Sequence, residues 1–194
     1  MDTAVRAGKQ EKPVSGLEVW GKTIGVIGTG RIGKGVVQRA AGFNMNILAN
    51  DAYPDHAFLE RFGGQYVDLD RIYREADFIT IHAPLTDTTN NMINERVLSM
   101  MKPTAVLINA ARGGIVDEAA LYMALKEHRI YGAALDATEI EPACGSPLAL
   151  LDNCILTPHA GAATREASLK MGLLAAQNVI DVLRGKECRY IVNE

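Results

Sequence analysis

The chain has 194 residues, 48% of them apolar, and a net charge of −3. That length makes one large domain or two small ones and can bury a sizeable core. The mildly acidic balance gives no electrostatic reason to seek nucleic acid or an anionic membrane, and no apolar stretch is long enough to span a bilayer. The three cysteines, Cys144, Cys154 and Cys188, form no CxxC and read as reduced thiols, neither a disulfide framework nor a metal site. The segment Met1 to Arg6 lacks the apolar core of a secretion signal, so a cytoplasmic location is expected.

In chain order, residues 1–21 are a lead-in of low regularity, strongly polar from Lys9 to Lys12. Ile24 to Ile27 is the first strand, and a helix follows from Ile32 to Ala41, stopped by Gly42. Ile47 to Ala49 is the second strand. Asp55 to Phe62 reads as a short helix stopped by Gly63-Gly64, and Gln65-Tyr66-Val67 as a short third strand. Asp68 is placed to cap a helix from Leu69 to Glu75. Phe78 to Ile81 is the fourth strand. Asn94 precedes a helix to Met101, which Pro103 forbids from continuing. Ala105 to Ile108 is the fifth strand, Asp117 opens a helix to about His128, Gly132 to Leu135 is the sixth strand, and Cys154 to Leu156 is the seventh. From Thr164 to Leu183, Leu169, Leu173, Ala176, Val179, Ile180 and Leu183 recur at helical spacing, and Gly185 closes that helix. Strands alternating with helices predict an α/β fold: a doubly wound, mostly parallel sheet with helices on both faces.

The most informative feature is Gly28-Thr29-Gly30-Arg31-Ile32-Gly33, set between the first strand and its helix. Asp51 lies eighteen positions past Gly33, at the end of the second apolar run. Together these form the full dinucleotide fingerprint of a Rossmann-type fold. The first glycine allows the turn, the second lets backbone N–H groups approach a pyrophosphate, and the third lets helix pack on strand. The helix N-terminus offers unpaired N–H groups and partial positive charge to phosphate. Asp51 would then accept hydrogen bonds from a ribose diol.

The later strands end in polar residues: His82, Asn109, Asp136 and, just past the seventh, His159. Ligands of open α/β sheets sit beyond the carboxyl ends of the strands, so these residues share an edge with the glycine loop. Near them lie Arg112, in Asn109-Ala110-Ala111-Arg112-Gly113-Gly114, and Glu141, before Pro142. An arginine holds a carboxylate bidentately, a histidine exchanges protons near neutral pH, and a carboxylate beside it fixes its tautomer. Each residue also has a plainer reading: a surface ion pair for Arg112, a solvated turn for Glu141, a helix cap for His159.

The segment Asn109 to Glu118 resembles a signature of the D-isomer-specific 2-hydroxyacid dehydrogenases. So do His82-Ala83-Pro84-Leu85-Thr86, Ala134-Leu135-Asp136, Glu141-Pro142, and Thr157-Pro158-His159-Ala160-Gly161-Ala162-Ala163-Thr164. The motifs run in one order over nearly the whole chain, and the last of them is most similar to the phosphoglycerate dehydrogenase branch. The resemblance implies an NAD-dependent oxidoreductase. Arg31 and Ile32 would lie against the pyrophosphate, Ala83 and Pro84 would line the adenine side, and His82 would belong to the cofactor site as well. Ala110, Ala111, Arg112 and Asp136 would surround the nicotinamide, with His159, Gly161 and Ala162 completing the cofactor site. Arg112 would bind the substrate carboxylate, His159 would be the acid/base, and Glu141 would orient it. The family's pattern departs at Ala137-Thr138, where an apolar-aromatic pair is common. The resemblance further implies a homodimer joined through this domain, and a smaller substrate-binding domain built mainly from residues ahead of this region. Residues 22–194 are then the dinucleotide-binding domain. Two alternatives share the glycine loop: a dinucleotide-sensing module without catalysis, and an NADP-linked reductase of glyoxylate or hydroxypyruvate. A sensor has no need of the Arg112, Glu141 and His159 set.

Overall fold

The computed structural model describes residues 6–8, 16–188, 190 and 191. Seven strands form one sheet: β1 (Thr23–Ile27), β2 (Asn46–Asn50), β3 (Gln65–Tyr66), β4 (Phe78–Ile81), β5 (Val106–Asn109), β6 (Gly132–Leu135) and β7 (Cys154–Leu156). Their spatial order is β3-β2-β1-β4-β5-β6-β7, and every neighbouring pair is parallel. The order reverses between β1 and β4, which makes that point the topological switch of a Rossmann-type sheet. The helices are α1 (Arg31–Gly42), α2 (His56–Glu60), α3 (Leu69–Glu75), α4 (Glu95–Met100), α5 (Glu118–Lys126) and α6 (Arg165–Leu183).

Helix starts follow side-chain capping. Asp55, Asp68, Asn94, Asp117 and Thr164 each accept a hydrogen bond from the backbone N–H three residues on. Gly30 opens α1 with no side-chain cap, which leaves its first N–H groups to a ligand. The structure adds a 3-10 turn, Pro147–Leu150, where the sequence carries no helical period. It ends α5 at Lys126, short of His128, which takes a left-handed φ of 53°.

Alternation along the strands divides the core in two. Ile27, Leu48, Ile79, Ile81, Leu107, Ala133 and Leu135 pack with Ile72 of α3, Leu98 of α4 and Leu121 and Leu125 of α5. On the opposite face Ile24, Val26, Ile47 and Ala49 pack with Val37 of α1 and Leu59 of α2. Among the described residues no helix covers that second face over β5 to β7. A hollow of about 510 Å³ lies there, lined by Val106, Tyr131, Ala134 and Ile155, and Ile155 is 64% exposed. A parallel sheet normally has both faces covered.

The segment Val116 to Leu125 and the helix after Thr164 both carry more apolar residues than one helix face needs and so suggest surface for association; the structure bears this out for the exposure of the helix and corrects it for the segment. Val116, Leu121, Ala124 and Leu125 carry more apolar surface than one helix face needs, yet all are core. Helix α6 has an apolar stripe and no buried residue; Leu173 is 62% exposed and Leu183 81%.

Candidate functional site

Because all seven strands run the same way, their carboxyl ends make one edge. Gly28, Asp51, His82, Asn109, Asp136 and Thr157 stand along it, each at or next to a strand's end.

The glycine loop separates three requirements. Gly28 has φ +90°, and a Cβ there would come within 2.6 Å of the His82 carbonyl carbon. The backbone of His82 and Ala83 therefore presses directly on the loop. A Cβ on Gly33 would sit 1.9 Å from the Gly28 oxygen, so helix and turn can close only around hydrogen. A Cβ on Gly30 meets nothing within 4 Å. Protein packing thus demands Gly28 and Gly33, while the space over Gly30 lies open at an uncapped helix N-terminus, as a pyrophosphate cradle requires. Arg31 and Ile32 follow at the helix start, with Ile32 65% exposed over the edge.

These roles predict opposite outcomes for two alanine substitutions. Gly33→Ala should lower stability by about 1–3 kcal/mol through overpacking, and NAD binding should fall with it. Gly30→Ala should leave stability within about 0.5 kcal/mol of wild type yet weaken NAD, because its methyl enters the phosphate space. Thermal unfolding and calorimetric titration of each variant check both; equal NAD affinity in Gly30→Ala would remove the cradle.

Asp51 is fixed before any ligand arrives. Its Oδ2 accepts from the Thr29 backbone N–H at 2.5 Å and from the Thr29 hydroxyl at 3.1 Å, and its Oδ1 accepts from the Tyr53 N–H at 2.8 Å. The Thr29 hydroxyl also meets the Tyr66 hydroxyl at 2.7 Å, and Tyr66 accepts from the Asp55 N–H at 3.0 Å. Asp55 pairs with Lys34 of α1, and that ammonium holds the Asp55 carboxyl below the usual carboxylate range. Thr29 and Tyr66 are contributors that sequence reasoning misses. Thr29 occupies an unspecified place in the motif, and Tyr66 sits in a strand of only two residues.

His82 is neutral in character: burial pushes its imidazole below the ordinary histidine value. Its Nε2 is 2.9 Å from the Thr80 hydroxyl, and its buried Nδ1 has no partner among the described residues.

Asn109, 1% exposed, secures the next loop. Its amide donates to the Arg112 carbonyl at 2.9 Å and to the Ala137 carbonyl at 3.4 Å, and its oxygen accepts from the Ala111 N–H at 3.1 Å. Ala110 and Arg112 are exposed beside it, and the Arg112 guanidinium turns back to donate to the Ala111 carbonyl at 2.7 Å. Among the described residues Arg112 makes no ion pair, so the surface-pair reading has no partner.

His159 and Glu141 meet. His159 Nδ1 lies 3.1 Å and 3.0 Å from the two Glu141 carboxylate oxygens. His159 has φ 52°, a left-handed conformation uncommon outside glycine and found disproportionately at functional sites. Asp136 holds the loop that carries it. One carboxylate oxygen accepts from the Thr157 hydroxyl at 2.5 Å and the Ala160 N–H at 2.8 Å, the other from the Gly161 N–H at 3.0 Å. The Thr157 hydroxyl, these N–H groups and the nearby His159 hold the Asp136 carboxyl below its ordinary value. Ala162 follows Gly161 on the same exposed loop.

So the structure brings together Glu141 with His159, Asp136 with Gly161, Gly28 with His82 and Ala83, and Asp51 with the glycine loop. It joins Arg112 to this assembly through backbone contacts rather than through its guanidinium. The loop fits a dinucleotide, and the far end of the edge offers an exposed imidazole–carboxylate pair for proton transfer.

Known proteins resemble this chain in sequence and fold. The profile of the NAD-binding domain of D-isomer specific 2-hydroxyacid dehydrogenases matches residues 1–161. A D-3-phosphoglycerate dehydrogenase of Methanocaldococcus jannaschii is 47% identical over 94% of this chain and 35% of its own length. A glyoxylate reductase of Pyrococcus furiosus is 46% identical over 92% of this chain and 53% of its own. The chain thus spans about a third to a half of these relatives. Among solved structures, D-lactate dehydrogenase with NAD+ from Lactobacillus jensenii superposes with a TM-score of 0.88 at 33% identity, covering 100% of this chain and 62% of that one.

Proposed function

The chain belongs to the D-isomer specific 2-hydroxyacid dehydrogenase family, whose NAD-binding domain it contains, and from that premise we propose that it serves an NAD-dependent oxidoreductase acting on a D-2-hydroxy acid or its 2-oxo acid. The observation that carries the reading is the Glu141–His159 pair at the end of the NAD edge. When bound, the nicotinamide supplies or accepts the hydride. The chain's own residues supply the rest. Glu141 accepts a hydrogen bond from the Nδ1–H of His159, which leaves Nε2 as the free lone pair. In oxidation Nε2 removes the hydroxyl proton, and Glu141 stabilises the imidazolium that forms. In reduction the same Nε2 returns the proton to the carbonyl oxygen. Arg112 swings from the Ala111 carbonyl to hold the substrate carboxylate as a fork. Asp136, Gly161 and Ala162 frame the nicotinamide, and Arg31, Ile32, Ala83 and Pro84 frame the other half of the cofactor. The proton pair favours this reading over a sensing module. The test is NADH formation from D-2-hydroxy acids, D-3-phosphoglycerate among them, by the wild-type sequence and by His159→Gln.

NAD is favoured over NADP. Asp51 is held as an anion acceptor where a 2′-phosphate would lie, and Lys34, the base brought toward this edge, is engaged by Asp55. Like charges about 4 Å apart repel by about 1–4 kcal/mol, so NADP should bind at least about fivefold more weakly. Calorimetric titration of both cofactors checks this; equal or tighter NADP binding would overturn it.

The protein is further read as a cytoplasmic homodimer joined through this domain, working with a substrate-binding domain supplied from outside residues 22–194. Its free cysteines agree with a reducing compartment. No described helix is long and apolar enough to cross a membrane. The bare stripe of α6 and the open sheet face over β5 to β7 are the apolar surfaces that association would bury. Val116 to Leu125 contributes no such surface. Sedimentation at micromolar concentration should give about twice the 21.0 kDa chain mass; a monomer at that concentration removes the dimer.

A further inference from the structure

We propose that Glu118 and Glu139 form a reciprocal clamp that positions Glu141 against His159, an inference that rests on the acid/base reading of that pair. Glu118 is the first residue of α5, and Glu139 lies two residues before Glu141. Each carboxylate is spent on the other's backbone: Glu118 Oε1 accepts from the Glu139 N–H at 2.6 Å, and Glu139 Oε1 accepts from the Glu118 N–H at 3.4 Å.

The clamp matters because of where the chain leaves the core. Ala137 and Thr138 are buried, while Glu139, Ile140 and Glu141 are exposed. Up to Thr138 the segment is pinned by packing. Asn109 holds the Ala137 carbonyl, and Gly113 lies so close that a Cβ on it would be 2.0 Å from the Thr138 oxygen. Beyond Thr138 the backbone that delivers Glu141 has left the buried core; Ile140 is 78% exposed. The Thr138 hydroxyl donates to the Ile140 carbonyl at 2.9 Å, which shapes the bend but ties it only to itself. The Glu118–Glu139 pair ties it instead to α5, a helix whose Leu121 and Leu125 are fully buried. The rigid core is thereby extended to within two residues of the proton pair. Burial, with the neighbouring Glu139 charge, pushes the Glu118 carboxyl up. Two acids in this place are costly by themselves and are held there by the backbone bonds each makes.

The readout is the His159 tautomer, followed by two-bond 1H–15N correlation on the labelled chain above the pH at which its imidazole is neutral. With Glu141 in place, the neutral ring should carry its proton on Nδ1. Glu118→Ala and Glu139→Ala should shift the ring toward the Nε2–H form that an unpaired histidine prefers. Glu118→Gln and Glu139→Gln keep an acceptor of the same reach and should restore the wild-type tautomer. Glu118→Asp and Glu139→Asp, milder changes that shorten the reach by one methylene, should shift it as alanine does and serve where an alanine variant does not fold. Glu141→Ala, which removes the acceptor altogether, is the reference. If it leaves the tautomer unchanged, the acid/base pairing itself fails. If Glu141→Ala shifts the ring while the alanine and aspartate variants of Glu118 and Glu139 do not, the clamp alone is overturned.

Discussion

Replacing His159 by glutamine should slow NAD-linked oxidation of D-2-hydroxy acids by about 10²–10⁴-fold, the usual worth of a positioned acid/base, with NAD still bound. Glutamine occupies a similar volume and can still donate to Glu141, but its amide neither takes nor returns a proton near neutral pH. Its backbone requirement is no harsher, since both residues carry a Cβ into the φ 52° conformation that Asp136 enforces through Ala160 and Gly161. NAD affinity should persist because the glycine loop and Asp51 lie at other strand ends. Glu141→Gln should cost less: it keeps an acceptor for Nδ1 and loses only the charge that stabilises the imidazolium. The measurement is NADH absorbance at high protein concentration, with NAD titrated separately. A His159→Gln variant that turns over as fast as wild type would remove the imidazole from the reaction.

Much of this site is legible in the residues because local chemistry fixes it. Apolar runs give β1, β4, β5 and β6, and a carboxylate, amide or hydroxyl gives the helix starts at Asp68, Asn94, Asp117 and Thr164. A motif written in glycines also states which approaches must be close, and Gly28 and Gly33 meet that description to the ångström. What cannot be read is which distant loop faces which. Thr29 meets Tyr66 across 37 positions, and Glu118 meets Glu139 across 21; no period in the chain encodes either contact. Amphipathicity has the same limit in another form. It identifies an apolar stripe on α6 and an apolar excess in Val116 to Leu125, but not what covers them. The second set turns inward, where Ile93 pairs with Val116, whereas α6 follows the last strand and buries none of its residues among the described part of the chain.

That openness leads to the last expectation: this chain binds NAD yet turns over 2-hydroxy acids at least about a thousandfold below ordinary enzyme rates. Cofactor binding uses groups already in place, namely the cradle over Gly30, Asp51 and the His82–Ala83 backbone. Catalysis asks for more. The His159 and Glu141 side chains are 48% and 43% exposed, and Arg112 rests on its own loop. These groups build one wall. Nothing among the described residues stands opposite to exclude water, to press the substrate carboxylate onto Arg112, or to hold the hydroxyl against Nε2. Orientation within a closed site is worth roughly 7–11 kcal/mol of barrier. Losing about 4 kcal/mol of it slows the reaction about a thousandfold. The check pairs calorimetric NAD binding with NADH production from D-3-phosphoglycerate and reduction of glyoxylate, using residues 1–194 alone. Tight NAD binding with turnover far below about 1 per second supports an open half-site. Turnover at or above that rate would mean that residues 1–194 close their own cleft, and the exposed α6 stripe of a second copy would then be the first surface to test as the missing wall.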